Sequence, residues 1–338
     1  MKQTCASMHQ QLIECVPNFS EGSDTGKIRK ILASIENTLN VSLLHAESGA
    51  DAGRTVVSFA GTPDAVCRAA FAAVKTASEL IDMRLHSGKH PRLGSADVCP
   101  LIPLRGVDMQ TTVEHARKLA QRVGTELGIP VYCYEQAALL PERKSLAYCR
   151  KGEYELLKEK MASQKPDFGP DVFSEKIAKT GASIIGAREI LIAVNFNLNT
   201  GSKTTAAEIA AEIRESGHGA KLKSVRAIGW YIADFDMAQV SVNITDYRTT
   251  PLHKVFEEVS RRAAQRKIAV TGTEIVGLIP EKVLLDAGQY FLAIKGDKPE
   301  TASKNLLLET AVHKLGLENL TPFIFQDKIL EYTLLKSK

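Results

Sequence analysis

Tryptophan occurs once in 338 residues, and aromatic side chains make up only 6% of the chain. A sheet that reads RNA on exposed aromatics needs more of them, in an RNP-like run that this sequence lacks. An excess of charge of one sign is lacking too: 43 basic residues face 39 acidic ones, a net +4 with no clustered tract. That balance argues against a nucleic-acid partner and leaves room for local basic pockets that take carboxylates. No apolar run reaches the roughly 18 to 20 residues that span a bilayer, and the opening MKQTCASMHQQ lacks the apolar core of a signal peptide. A cytoplasmic protein with no membrane partner is expected. The six cysteines, Cys5, Cys15, Cys67, Cys99, Cys133 and Cys149, are dispersed without a CxxC pair. Reduced core thiols are therefore expected rather than disulfides or a metal site.

What is present is ordinary globular composition, 44% hydrophobic and 24% charged, in a chain long enough for two packed subdomains. After a polar tail at 1–11, LIECVP (12–17) reads as a strand and 25–40 as an amphipathic helix, with Ile28, Ile31, Leu32, Ile35 and Leu39 at helical spacing. VSLLH (41–45) and RTVVSFAG (54–61) read as strands, 62–83 as a helix with Pro63 in its first turn, and DVCPLIPL (97–104) as a strand. A helix at 108–127 and the run IPVYCY (129–134) follow. Then the pattern turns irregular through 135–181, with EYELLKEKM the one clear helix. From 189 to 280 the order strand, helix, strand, strand, helix, strand returns, its second helix capped by Thr249 or Thr250. These patterns predict an α+β protein of two ferredoxin-like βαββαβ subdomains, 12–188 and 189–338, packed as α/β sandwiches with a substrate tunnel between them.

The chemistry gathers in HSGKHPRLGSADVCPLIPL (86–104). His86 and His90 have the i, i+4 spacing of a helical zinc pair, but Gly88 lies between them, Pro91 follows, and no glutamate succeeds the first histidine. The stretch offers instead an imidazole in a glycine-rich, proline-stiffened loop beside Lys89 and Arg92. Cations nearby disfavour the imidazolium, which leaves the neutral form that a general base needs. Elsewhere Trp230 reads as core packing, His45 as a satisfied structural histidine, and His253 as a solvated or capping residue. Asn18, in the turn after the first strand, either fixes that loop through its backbone or lines a site.

LIECVPNFSEG (12–22), GRTVVSFAG (53–61), LIDM (80–83), HSGKHPRLGSADVCPLIPLRGV (86–107), RKGEYE (150–155), PDFGP (166–170), GAR (186–188), LIAVNFNL (191–198), IGWY (228–231) and GTEIVGLIP (272–280) occur in order along the chain. Together they resemble the glutamate formiminotransferase family of histidine degradation. The resemblance implies transfer of a formimino group from N-formimino-L-glutamate to N5 of tetrahydrofolate, which is a co-substrate, by a homodimer that needs no metal. It also implies a monofunctional transferase, since the chain stops soon after ILEYTLL (329–335). Carried over by position, the histidine before Pro-Arg is His90, the catalytic group. The acidic residue ahead of the RT strand is Glu47, a proton relay or a partner of the pterin; animal members carry Asp there, and Asn where this chain has Gly53. The folate loop places Gly169, Pro170 and Phe173, and the stretch beyond it runs longer than the animal pattern. Arg188 is a carboxylate or structural anchor. Lys89, Arg92 and Arg54, near the catalytic loop, are expected to meet the donor's carboxylates, and Glu47 its amidine N–H. Two other readings stand beside this one: a related folate enzyme acting on a 5-formyl-tetrahydrofolate and glutamate pair, and a non-catalytic ferredoxin-like binding module.

The ligand types in this sequence form no metal set. Activity should survive exhaustive chelation; loss on chelation with recovery on adding zinc would restore His86 and His90 as ligands.

Overall fold

The computed structural model describes residues 11–233 and 236–336. Of the N-terminal tail only Gln11 falls among them, so Cys5 lies outside the described residues. The chain divides into two compact units after Arg188.

The first unit holds β1 (Leu12–Cys15), β2 (Asn18–Phe19), α1 (Thr25–Glu36), β3 (Val41–Gly49), β4 (Arg54–Gly61), α2 (Pro63–Leu80), β5 (Ala96–Arg105), α3 (Met109–Leu127), β6 (Val131–Glu135), α4 (Leu146–Arg150), α5 (Leu157–Ser163), α6 (Glu175–Thr180) and β7 (Ser183–Ala187). Its sheet runs β3, β4, then β1 and β2 in one row, β5, β7 and β6. The first four positions are antiparallel, whereas β5, β7 and β6 are parallel. Asp24 and Asp108 cap α1 and α3 by accepting from N–H groups of the first turns, which satisfies donors that helix geometry leaves open. Alternation along the strands decides which side chains meet the helices. Ile13 and Cys15, Val57 and Phe59, and Cys99 and Leu101 form one core with Ile31 and Ile35 of α1, alanines of α2 and Leu119 of α3. The other face carries Glu14, Ser58 and Val56, with Tyr132 and Tyr134 of β6 in a smaller cluster beside Leu93.

β7 is one of the elements that the sequence pattern does not disclose. Five buried residues between two parallel neighbours show no alternation, so the segment cannot be told from any short apolar run. The stretch 171–181, expected as irregular, contains α6. Its C-terminal end bonds to the loop before β5: Ser95 N–H donates to Thr180 O, Ala182 N–H to Leu93 O and Met83 N–H to Lys179 O.

The second unit holds β8 (Ile192–Leu198), α7 (Lys203–Ile213), β9 (Val225–Ile232), β10 (Met237–Ile244), α8 (Leu252–Gln265), β11 (Val270–Val276), α9 (Glu281–Lys295), α10 (Lys304–Leu315), α11 (Phe325–Lys328) and α12 (Leu330–Lys336). Its antiparallel sheet is ordered β11, β8, β10, β9. Val194, Phe196, Val240 and Val242 pack under Ile209, Val255, Leu284 and Leu308 of the helices. Trp230 is buried, but on the opposite face, where its indole N–H donates to Gln239. His253 is neither solvated nor a cap: it is buried and stacks on Tyr290 with ring centres 4.2 Å apart. The expected threonine cap of α8 is absent too, because Thr249 bonds to Asp246 and Thr250 to Lys223 O, and Pro251 occupies the cap position. The described cysteines are free, and Cys15, Cys99, Cys133 and Cys149 are buried.

α7 lies on β9 because Gly229 has no side chain; a Cβ there would stand 2.1 Å from Ala207 N. Gly229→Val should cost about 1–3 kcal/mol or more, as overpacking does, and thermal melting of the variant checks it. An unchanged melting temperature would mean that α7 shifts freely.

Candidate active site

The site is built where two loops of the first unit meet. Gly53 has φ +63°, and a Cβ on it would lie 2.9 Å from Gly88 Cα, while one on Gly88 would lie 2.6 Å from Ala52 O. Bare backbone at both positions lets the loop 86–90 press on the turn before β4, and Lys89 N–H and His90 N–H donate to Asp51 O and Ala52 O. The His86 Nε2–H donates to Gly53 O at 2.8 Å. His90 is thereby delivered to Arg54, the first residue of β4.

The bonds of His90 define its tautomer. Nδ1 is 2.8 Å from Pro91 O and must carry the proton, so Nε2 is the acceptor, and Arg54 Nη1–H donates to it. Burial, with the Arg54 and Arg150 guanidinium groups beside it, holds His90 well below the usual imidazole range. A neutral imidazole is thus present, as expected, but through different cations. Lys89 is paired with Asp51 at 3.0 Å. Arg92 is buried and forks onto Glu155 at 2.5 and 2.8 Å, with Glu153 at 3.3 Å and His86 Nδ1 at 3.3 Å.

Arg54 is itself held at about 10, pushed down by burial and by Arg150 and pulled up by Asp97 and Glu47. Glu47 lies across from Val56 on β4, on the face that Arg54 shares by alternation, and accepts from His45 at 3.0 Å when that ring nitrogen carries its proton. Asn18 pairs with the same Val56 from the other side, so it extends this row, and its Nδ2 donates to Val16 O at 3.3 Å.

Gly169, Pro170 and Phe173 do not share one location. Gly169 abuts Gly124 of α3 and Ile129 O, on the helix side of the sheet, next to Pro170. Phe173 packs with Leu93 and Tyr134, in the cluster that adjoins the His90 loop. Arg188, just past β7, acts electrostatically on Glu14 and Tyr134.

Four residues of the site escaped the sequence reading. Asp97 is buried at the head of β5, accepts from Leu93 N–H and pairs with Arg150. Glu14 and Tyr134 are buried on the face of Arg188. A lone carboxylate inside LIECVP and another opening DVCPLIPL were the available signals, since ionised groups are buried only when paired. An open cleft of about 520 Å³ adjoins the loop, lined by His86, Ser87, Gly88, Arg92, Gly152, Glu153 and Glu155. Among the described residues no cluster of three or more His, Cys, Asp or Glu side chains is placed to hold a metal, and both ring nitrogens of His86 and of His90 are engaged by protein atoms.

A neutral imidazole with a fixed tautomer can act as a base and then as an acid, and the guanidinium groups beside it can meet anionic groups. Residues 12–188 match the formiminotransferase domain, N-terminal subdomain, and 193–335 match the formiminotransferase domain, and the chain belongs to this family. It is 44% identical to the formimidoyltransferase-cyclodeaminase of Rattus norvegicus over 95% of its length, spanning 60% of that protein. It is also 44% identical to the glutamate formimidoyltransferase of Thermoplasma acidophilum, covering 84% of this chain and 93% of the relative. The corresponding protein of Streptococcus pyogenes serotype M1 is 40% identical over 84% and 94%. Likeness to solved structures is weak: a microcompartment protein of Desulfitobacterium hafniense DCB shares 12% identity at a TM-score of 0.20, over 78% of this chain and 93% of that one.

Burial raises the Glu14 carboxyl to about 7, against the lowering pull of Arg188 and a hydrogen bond from Ser58. The folded chain then binds this proton more tightly than the unfolded one. The contribution to stability is full below the ordinary value of 4.5 and is lost as pH rises through about 7. Melting temperatures between these limits should fall more steeply for the wild type than for Glu14→Gln; parallel profiles would show that Glu14 titrates as an ordinary carboxylate.

Proposed function

We propose that this chain is a glutamate formimidoyltransferase, moving the formimino group of N-formimino-L-glutamate to N5 of tetrahydrofolate. The observation that carries the reading is the neutral His90, with Nδ1–H fixed on Pro91 O and Nε2 left as the basic nitrogen, in a chain of this family. In the proposed reaction, N5 attacks the formimino carbon and a C–N bond forms. His90 Nε2 takes the N5 proton from the tetrahedral intermediate. The proton then passes to the glutamate nitrogen as its bond to carbon breaks, so that one group serves as base and then as acid. Arg54 meets a donor carboxylate, Glu47 accepts from the amidine N–H, and Lys89 and Arg92 contribute positive potential from within their ion pairs. Gly169, Pro170 and Phe173 contact the folate, with Asn18 and Arg188 at the edges of the site.

The same reading includes a cytoplasmic homodimer in histidine and one-carbon metabolism, with no nucleic-acid or membrane partner and no metal. Each unit is further proposed to be a ferredoxin-like split βαβ. Its support is the strand order: β1, taken with β2 as one strand, lies between β4 and β5 with β3 outside β4, and β8 lies between β10 and β11 with β9 outside β10, each central strand antiparallel to both neighbours.

The test is incubation of purified protein with both substrates, following 5-formimino-tetrahydrofolate and glutamate. Stoichiometric formation of the two is expected, and transfer from a formyl donor alone would replace the reading with that of the related enzyme. His90→Ala should bind tetrahydrofolate nearly as the wild type does while turnover falls by about two to four orders of magnitude. Near wild-type single-turnover transfer would remove His90 from the mechanism.

A further inference from the structure

The nitrogen that must accept a proton is already in use. His90 Nδ1–H is committed to Pro91 O, and the lone pair of Nε2 accepts from Arg54 Nη1–H. A lone pair that accepts from a guanidinium cannot take a proton from a substrate amine until the guanidinium leaves. Arg54 is the group that can leave. Its direct partner is an imidazole nitrogen rather than a carboxylate. Asp97, one of the two carboxylates acting on it, is already bound to Arg150, and the other, Glu47, holds His45. The remaining cations of the loop have carboxylates of their own, Lys89 with Asp51 and Arg92 with Glu155. A carboxylate entering the site therefore finds Arg54 as the cation with the weakest hold, and a charge-assisted pair to carboxylate outcompetes a bond to neutral imidazole.

We propose that Arg54 masks the His90 base and that a carboxylate of the donor lifts the mask, so that the carboxylate is required for proton transfer as well as for binding. The proposal rests on the formimino-transfer reading and deepens it, since it makes a carboxylate-bearing formamidine the substrate class. Specificity of this kind differs from simple affinity. A donor lacking the carboxylate binds weakly and, once bound, also meets a blocked base, so its penalty appears in kcat as well as in KM.

The discriminating comparison uses N-formimino-L-glutamate and N-propylformamidine, which keeps the amidine and lacks both carboxylates; transfer to tetrahydrofolate then releases propylamine in place of glutamate. With wild-type protein the truncated donor should be the poorer in both constants. In Arg54→Met the two donors should move in opposite directions: kcat/KM for N-formimino-L-glutamate falls by about tenfold or more, as loss of a charge-assisted contact does, while kcat for N-propylformamidine rises above the wild-type value. An arginine that only binds carboxylate would leave N-propylformamidine unchanged, and an arginine that only supports the fold would lower both; either result overturns the proposal. Because Arg54→Met could fail to fold, a second measurement uses the wild type: the ¹⁵N resonance of His90 Nε2 should shift toward an unbonded imidazole nitrogen on titration with L-glutamate and stay still with propylamine. A resonance indifferent to saturating glutamate overturns the mask. Failure of the wild type to turn over N-formimino-L-glutamate would instead count against the formimino-transfer reading, and the resonance experiment separates the two.

Discussion

The contact between Gly53 and Gly88 is the constraint on which the site depends. Neither position has room for a Cβ, so the loop 86–90 can lie directly on the turn that leads into β4, held by His90 N–H to Ala52 O and Lys89 N–H to Asp51 O. A side chain at either glycine would separate the loops by about the thickness of a methyl group, and the imidazole would lose Arg54. The far end of the same segment is fastened differently. Asp97 takes Leu93 N–H and Arg150, and the chain around α6 adds the bonds of Ser95 and Ala182. Between these two anchorages His90 has little freedom in position or tautomer.

The near-balance of charge along the sequence has a local counterpart in these loops. Arg92 with Glu155, Arg150 with Asp97, and Lys89 with Asp51 are each paired, as burial of ionised groups demands. The imidazole lies close to Arg54 and Arg150 and, being neutral, adds no charge to be compensated. Proton affinity at His90 is thus set by strands and helices distant in sequence, not by the basic neighbours Lys89 and Arg92.

Both sheets share a division of labour between faces. One face is apolar under helices. The other retains buried polar side chains: Glu14 and Ser58 in the first unit, and in the second the relay from Trp230 through Gln239 to Asn197. Polar groups without solvent are costly unless bonded, and the Asn197 Nδ2 is buried without a partner.

Much of this was legible in advance. RTVVSFAG begins and ends as β4 does, and the helical spacing of Ile31 and Ile35 gave the buried side of α1, because period and turn chemistry are local properties. His90 and Arg54 stand out as candidates in the runs HSGKHPRLGS and GRTVVSFAG. β7 stayed hidden, since a short strand buried between parallel neighbours has no period of its own. Asp97, Arg150, Glu14 and Tyr134 stayed hidden as participants because each depends on a partner far along the chain. The sequence by itself determined those strands and helices that have a period of their own, and which residue types are at hand for chemistry. The tertiary structure alone decided which cation faces the imidazole and which ring nitrogen carries the proton, because Coulomb and hydrogen-bond energies depend on distances that exist only once the chain has folded.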